Sequence, residues 1–351
     1  MPKTCSEPPA YAKRNFLLHK AKRETGEVKA NCVSPQLKRL SLNGPTMATR
    51  WSVLCDVAGS IDQAALQQAL ATAVDRVDQQ MSPWKPDSDL MRLNRAAPGE
   101  WVSLPPEIMA VLARALEVAR LSDGAFDPTV GTLVNAWGFG PERDDPDVAA
   151  IRVAAQAGQS SAHQRLDLDR HAGRARKHTP LQIDLCGIAK GYGVDQMTAV
   201  LQSHGVAHAL VALDGELRAL GTQADGQPWA VAVESPEPGR RAARGVLELA
   251  DVAVATSGDY RRFVLVGGAR LAHTMDGRRA APVRNDVASI TVLARTCMDA
   301  DAWATALLVA GPSDGLALAQ RMGLEALFLL RRDGRWLELG LGRFATADAA
   351  G

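Results

Sequence analysis

Aromatic residues are scarce in this chain, at 5% of 351 positions, which leaves too few rings for an extended base-stacking platform. An excess of charge is missing too: the net charge is +1, so the overall balance favours neither a nucleic-acid nor a membrane surface. The five cysteines, Cys5, Cys32, Cys55, Cys186 and Cys297, are scattered, odd in number and form no C-x-x-C pair. Such spacing suggests neither a zinc site nor a disulfide framework and fits reduced thiols in a reducing compartment. No run of about 18 apolar residues occurs, so no transmembrane helix is expected. Residues 1–46 are basic and polar, with Lys13-Arg14, Lys20, Lys22-Arg23 and Lys38-Arg39, and lack the apolar core of a secretory signal; Phe16-Leu17-Leu18 is too short to serve. The segment reads as a disordered extension, or as upstream sequence translated from an early start, with Met47 opening the globular pattern. A solvated tail is favoured over a nucleic-acid-binding arm. A cytoplasmic location is expected.

What is present is ordinary for a soluble globular protein: 46% hydrophobic and 23% charged residues, in a chain long enough for one large domain or two closely packed halves. Residues 48–55 have strand character, and 61–80 carry Ala64, Leu66, Leu70, Val74 and Val77 at helical spacing. The run Ser82 to Asp89 reads as a loop, and Leu90 to Asn94 as a short helical turn. A second long helix starts at Pro105-Pro106-Glu107 and stops before Gly124. Residues 143–180 are charged and weakly patterned, and read as a short helix and loops. Ile183 to Gly191 runs from a strand into a helix ending near Gly205. Strands follow at 207–213, 216–221, 229–234, 252–256, 262–266 and 287–294, then helices at 298–310 and 313–322 and a closing hairpin, 325–331 and 335–339. The pattern predicts an α+β fold with segregated helices and mainly antiparallel strands.

One stretch carries chemistry. Asp301 and Thr305 are i and i+4 in an otherwise apolar run, so on a helix both oxygens leave the same face. An acid among Ala, Trp and Leu is costly unless paired or metal-bound, and two hard oxygens suit a divalent cation such as Mg2+. A plainer reading stays open on spacing alone: an acid favouring the helix dipole and a solvated threonine.

Seven blocks stand in order along the chain: Met47-Ala48-Thr49, Asp87 to Asn94, Gly124 to Gly131, Ile183 to Tyr192, Thr256 to Tyr260, His273-Thr274-Met275-Asp276, and Ala300 to Leu307. Covering roughly 47–311, they resemble the FAD:protein FMN transferase family, known as ApbE. The resemblance implies a single domain over 47–345 of two closely packed, T-fold-related subdomains, with FAD in a cleft between an α+β body and the helices of the 60–125 region. Residues 346–351 would be a tail. It also implies an activity: Mg2+-dependent cleavage of FAD at its pyrophosphate, transfer of FMN to a threonine or serine hydroxyl of a target flavoprotein, and release of AMP. The partners implied are thus FAD and that flavoprotein, with no nucleic acid.

Carried over position by position, Asp301, Thr305 and the Gly187 carbonyl match the metal ligands. Lys190, opening the next helix, suits phosphate. Asp184, and Ala125, Phe126 and Asp127, match flavin-nucleotide contacts. Met47 and Trp84 match positions that flank a flat ring, and Met275 falls where the family meets FAD. His273 is the candidate for deprotonating the incoming hydroxyl, with Asp276 orienting it or acting alone; Arg278 and Arg279 read as solvated charge. Three departures from the family pattern bear on target choice and rate: Leu213-Asp214-Gly215-Glu216 where a glycine pair is usual, Asp276-Gly277-Arg278 without the common proline, and Ala48 for a usual glycine. No lipid-attachment cysteine of the kind in exported relatives is read. The rival readings are an FAD pyrophosphatase with water as nucleophile and a non-catalytic FAD-binding protein.

Overall fold

A computed structural model describes residues 37–157, 161–236, 242–259, 263–266, 269–332 and 334–345. Its frame is an eight-stranded, wholly antiparallel sheet. Across the sheet the order is Lys38–Thr46, Thr49–Val57, His208–Leu213, Glu216–Leu220, Ala253–Gly258, Val287–Ala294, Glu325–Arg332 and Arg335–Gly340. The fold is α+β, as the pattern predicts.

Side-chain alternation divides the two faces. Ile290, Val292 and Phe328 point into a core shared with helices, while Leu293, Leu327 and Leu329 point the other way. That second face is covered by Trp229, Val231, Leu247 and Leu249 of a separate hairpin, Trp229–Glu234 with Ala243–Leu249. Val287–Ala294, covered on both sides, is buried at every position but its last.

The helices are α1 (Gln63–Met81), α2 (Asp89–Arg95), α3 (Pro106–Leu121), α4 (Gly131–Ala136), α5 (Val148–Ala157), α6 (Ala162–Arg165), α7 (Ala189–Ser203) and α8 (Cys297–Arg321). Local chemistry sets their ends. Asp62 caps α1 by accepting from the Ala65 N–H, and Ser88 caps α2 by accepting from Met91. Pro106 opens α3, and Gly124, at φ 76°, follows its end. α8 holds two helical segments that meet at Gly311 (φ 83°), with Pro312 starting the second. By length and composition it is the one described helix that could cross a membrane, yet Leu307 and its apolar neighbours are packed into the core on the Ala253–Gly258 and Val287–Ala294 strands.

Three expectations need correction. The globular fold begins before Met47, because Lys38–Thr46 is an edge strand whose Leu40 and Leu42 are buried. It pairs with Thr49–Val57 through a two-residue turn, Met47-Ala48, both at positive φ (45° and 56°). Its Gly44 faces Trp51, whose ring lies so close that a Cβ would sit 2.7 Å from Nε1. Residues 1–36 and 346–351 lie outside the described residues. Second, Ile183–Leu185 is not a strand: Ile183 donates to the Asn94 side chain and Asp184 to the Pro128 carbonyl, with no ladder formed. Third, 143–180 contains two short strands, Leu166–Asp169 and Arg174–Lys177, paired with each other, the second also with Val102–Ser103.

Candidate functional site

The contact between α7 and α8 brings the predicted metal residues together. Gly191, in the first turns of α7, has no room for a side chain, since a Cβ would strike the Cys297 carbonyl and come within 2.9 Å of the Asp301 Cβ. That close approach lets the Gly191 N–H donate to Asp301 Oδ2 at 3.0 Å. One helical turn further along α8, Thr305 Oγ1 lies 3.1 Å from Ser257 Oγ of the Ala253–Gly258 strand. The main chain of Gly187 runs against the same hydroxyl: a Cβ there would be 3.0 Å from Thr305 Oγ1 and 3.4 Å from the Phe126 ring.

Charge is concentrated here. Lys190 Nζ is 2.8 Å from Glu216 Oε1 and 3.5 Å from Asp214, on the strand and turn that follow Leu213. Asp214 takes that turn at φ 57°, a conformation open to Asp at small cost. Burial works against the Lys190 charge, but Glu216, Asp301 and Asp214 outweigh it and hold the ammonium above the usual lysine range. Burial raises the Glu216 carboxyl, with Lys190 opposing. Asp301 is 3% exposed; burial, then the Glu216 charge, push its carboxyl up to about 8, against Lys190 and the Gly191 N–H. A carboxylate held so far above its ordinary range lacks a full counter-charge.

The donor set therefore fits a hard dication: one buried, under-compensated carboxylate, one hydroxyl, and a glycine main chain close against that hydroxyl. Among the described residues no group of three His, Cys, Asp or Glu side chains forms a conventional metal cluster.

The predicted flavin-contact residues divide. Phe126 is buried behind Gly187, and Ala125 is buried beside it. Asp127 is turned inward: Oδ2 accepts from Arg165 at 2.7 Å, and Oδ1 from the Thr129 N–H and hydroxyl at 2.8 and 2.5 Å. Its side chain shapes the turn. Asp184 forms a turn of its own, accepting from the Cys186 N–H at 2.7 Å. Met275 is 5% exposed and packed with Leu133, Ala136 and Ala154. Met47 is half-buried between the two largest core clusters, and Trp84 is 51% exposed on its loop.

The 273–278 loop packs on the 125–129 turn, with Gly277 so close to Asp127 that a Cβ would be 2.7 Å from Oδ2. His273 stands edge-on to Phe139 at 6.3 Å. Asp276 is engaged by Arg278, which donates to it from the main-chain N–H, Nε and Nη2 at 3.0 to 3.1 Å. Its carboxylate thus braces the loop through Arg278, which is an ion-pair partner and not simply solvated charge.

Sequence reasoning missed Glu216, Ser257, Gly191 and Arg165. Only Gly191 had a local signal, a small residue on the face toward α8; the others act across long chain separations. A cavity of about 480 Å3 lies elsewhere, lined by Asp56, Ser60, Asp62, His204 and His208, with no predicted site residue on its wall. Its buried carboxylate, Asp56, is already paired with Arg39 and the Ala224 N–H. A second cavity, about 20 Å3, lies between Asp127, Arg165 and Gly277 and has room for about one water.

Comparison with known proteins gives the family. The model of the ApbE family matches residues 47–328. A protein of Vibrio cholerae serotype O1 named FAD:protein FMN transferase is 35% identical over 90% of this chain and 94% of its own length. Its namesake from Haemophilus influenzae is 36% identical over 85% and 88%. Among solved structures, the flavin transferase ApbE from Vibrio cholerae superposes with a TM-score of 0.79 at 34% identity, covering 87% of this chain and 97% of that one. The apo flavinyl transferase ApbE of Pseudomonas stutzeri gives 0.78 at 34%, covering 87% and 95%.

Proposed function

The chain belongs to the ApbE family, and we propose that it is an FAD:protein FMN transferase, cleaving FAD at the pyrophosphate, passing FMN to a threonine or serine of a target flavoprotein and releasing AMP. The observation that carries this reading is the convergence of Asp301, Thr305 and the Gly187 main chain where α7 meets α8. Asp301, Thr305 and the Gly187 carbonyl would hold Mg2+. Bound there, the ion would neutralise pyrophosphate charge and stabilise the departing AMP.

The chain's own residues supply the rest. Lys190 stays charged through the neutral range and opens a helix whose first N–H groups favour phosphate. Phe126, packed behind Gly187, and Met47 give apolar surface beside the charged centre, with Trp84 as an exposed ring able to cover a flat ligand. Asp184, the 125–127 turn and Met275 would contact the flavin nucleotide. As the acceptor hydroxyl attacks the FMN-side phosphorus, its proton passes to His273, and the bond from phosphorus to the AMP oxygen breaks.

The test is incubation with FAD, Mg2+ and candidate flavoproteins, followed by intact-mass measurement of the target. A gain of one FMN with one AMP released per label supports transfer. Free FMN and AMP over an unlabelled target would make the protein a pyrophosphatase, and unchanged FAD would make it a binding protein.

A further inference from the structure

Asp195 is a buried carboxylate that the reaction above does not use. It projects from α7 toward the first turn of α8, where Oδ1 accepts from the Cys297 N–H at 3.0 Å and Oδ2 from the Met298 N–H at 2.9 Å. Arg218, on the Glu216–Leu220 strand, also donates to Oδ1. Helix starts leave such N–H groups without intrahelical partners, and a residue just before the helix ordinarily serves one of them. Here Thr296 does so, accepting from the Asp299 N–H at 3.1 Å. Asp195 is a second cap, supplied by another helix.

Four residues away on each helix the bonding reverses. Gly191, four before Asp195, donates to Asp301, four after Cys297. One face of α7 therefore accepts from the backbone of α8 and donates to its carboxylate, two locks on the same helix pair. With both in place α8 cannot turn or slide along α7 without breaking at least one. Between them, the absence of a Gly191 side chain keeps the helices in contact.

We propose that Asp195 is a positioning residue for the metal site: by clamping the first turn of α8 to α7, it fixes the rotation and depth at which Asp301 and Thr305 meet Gly187. This rests on the reading of Asp301 and Thr305 as metal side chains.

The test titrates Mg2+ alone into the full-length chain and into Asp195→Ala, Asp195→Asn, Thr296→Ala and Asp301→Ala. Calorimetry gives the Kd, and thermal unfolding gives Tm. Thr296→Ala removes a cap from the same helix without touching α7, so it should lower Tm and leave the Kd within about twofold. Asp195→Ala should weaken Mg2+ by about ten- to a hundredfold, as loss of a group that orients a metal ligand does. Asp195→Asn should fall between, since its oxygen can still accept one of the two N–H groups. At saturating Mg2+ the Asp195→Ala turnover of FAD should return toward wild type, because the ligands themselves remain. The proposal is overturned if Asp195→Ala moves the Kd no more than Thr296→Ala does, whatever its Tm. Should Asp195→Ala not fold, the same criterion applies to Asp195→Asn. Wild-type binding of Mg2+ that Asp301→Ala leaves intact, or no binding by the wild type, would instead sink the reading of the metal site itself.

Discussion

Asp301 sits where a negative charge is expensive, and two predictions follow from the direction of its shift. Its carboxyl is pushed up to about 8 in the folded chain, against about 3.9 when unfolded, so between those values the folded state holds the extra proton. Without metal, the stability this group allows is full below pH ~4 and is lost as pH rises toward ~8. Asp301→Asn should remove that decline, leaving an apo Tm higher than wild type at pH 8.5 and little different at pH 4.5, provided Glu216 shifts in both. Binding of a cation displaces the proton, so the Mg2+-induced rise in Tm should grow from pH 6 to 8.5 in the wild type and vanish in Asp301→Asn. A second measurement at this scale is turnover: Asp301→Asn should reduce Mg2+-dependent AMP release by about a hundredfold or more, on the order expected for a lost metal ligand. Equal AMP release by both proteins would refute it. The i, i+4 pair Asp301 and Thr305 was legible in the chain because helical geometry is local. Their surroundings were not: the Gly191–Asp301 bond spans 110 positions, and Lys190 finds Glu216 only across a turn of the sheet. Nor could spacing tell that Asp127 would be consumed by Arg165 and Thr129, or Asp276 by Arg278.

Elements built on long periodic patterns matched expectation, and the mismatches fell among short ones. α1 buries Leu66, Leu70, Val74 and Val77, and α3 buries Ile108, Val111, Leu112 and Val118, a pattern that survives in sequence because it repeats. The strands Leu166–Asp169 and Arg174–Lys177 are four residues each and at least half charged, held by Arg176 on Asp167, Arg174 on Asp169, and both arginines over the Trp101 ring. Such a pair announces itself only once its partner is in place. Ile183–Leu185 failed in the opposite sense. Its apolar alternation suggested a strand, but the Asn94 side chain takes both Ile183 bonds, accepting its N–H and donating to its carbonyl. The α7–α8 contact makes its own prediction. Gly191→Ala places a methyl against the Cys297 carbonyl, and the helices must separate, at a cost of about 1–3 kcal/mol. Denaturant unfolding should show that loss, with weaker Mg2+ stabilisation than wild type. Gly205→Ala, where nothing lies within 4 Å, would serve as the control, with only the cost of its positive φ.

For the molecule as a whole, the position of the first strand decides where the fold starts. Leu40 and Leu42 are buried against the α1 and α7 side of the core, each contributing roughly 1.5–3 kcal/mol of apolar burial, and the edge strand adds its hydrogen bonds. A chain starting at Leu37 should unfold at nearly the full-length Tm, whereas one starting at Met47 should lose several kcal/mol or become insoluble. Equal Tm values for the two would show that this strand adds nothing. Its sequence, Lys-Arg-Leu-Ser-Leu-Asn-Gly-Pro-Thr, merged with a basic stretch; Gly44 makes sense only with Trp51 folded across it. The amino-acid order by itself determined the class of fold, the course of the long helices and central strands, the family, and the pair of oxygens on α8, because each is encoded by short periodic spacing or by blocks of adjacent residues. Tertiary structure alone decided which carboxylates are spent on neighbours, how far burial lifts Asp301, and that Asp195 of one helix caps another. Those outcomes depend on distances between segments far apart in the chain, which only the packed sheet and its two crossing helices bring into contact.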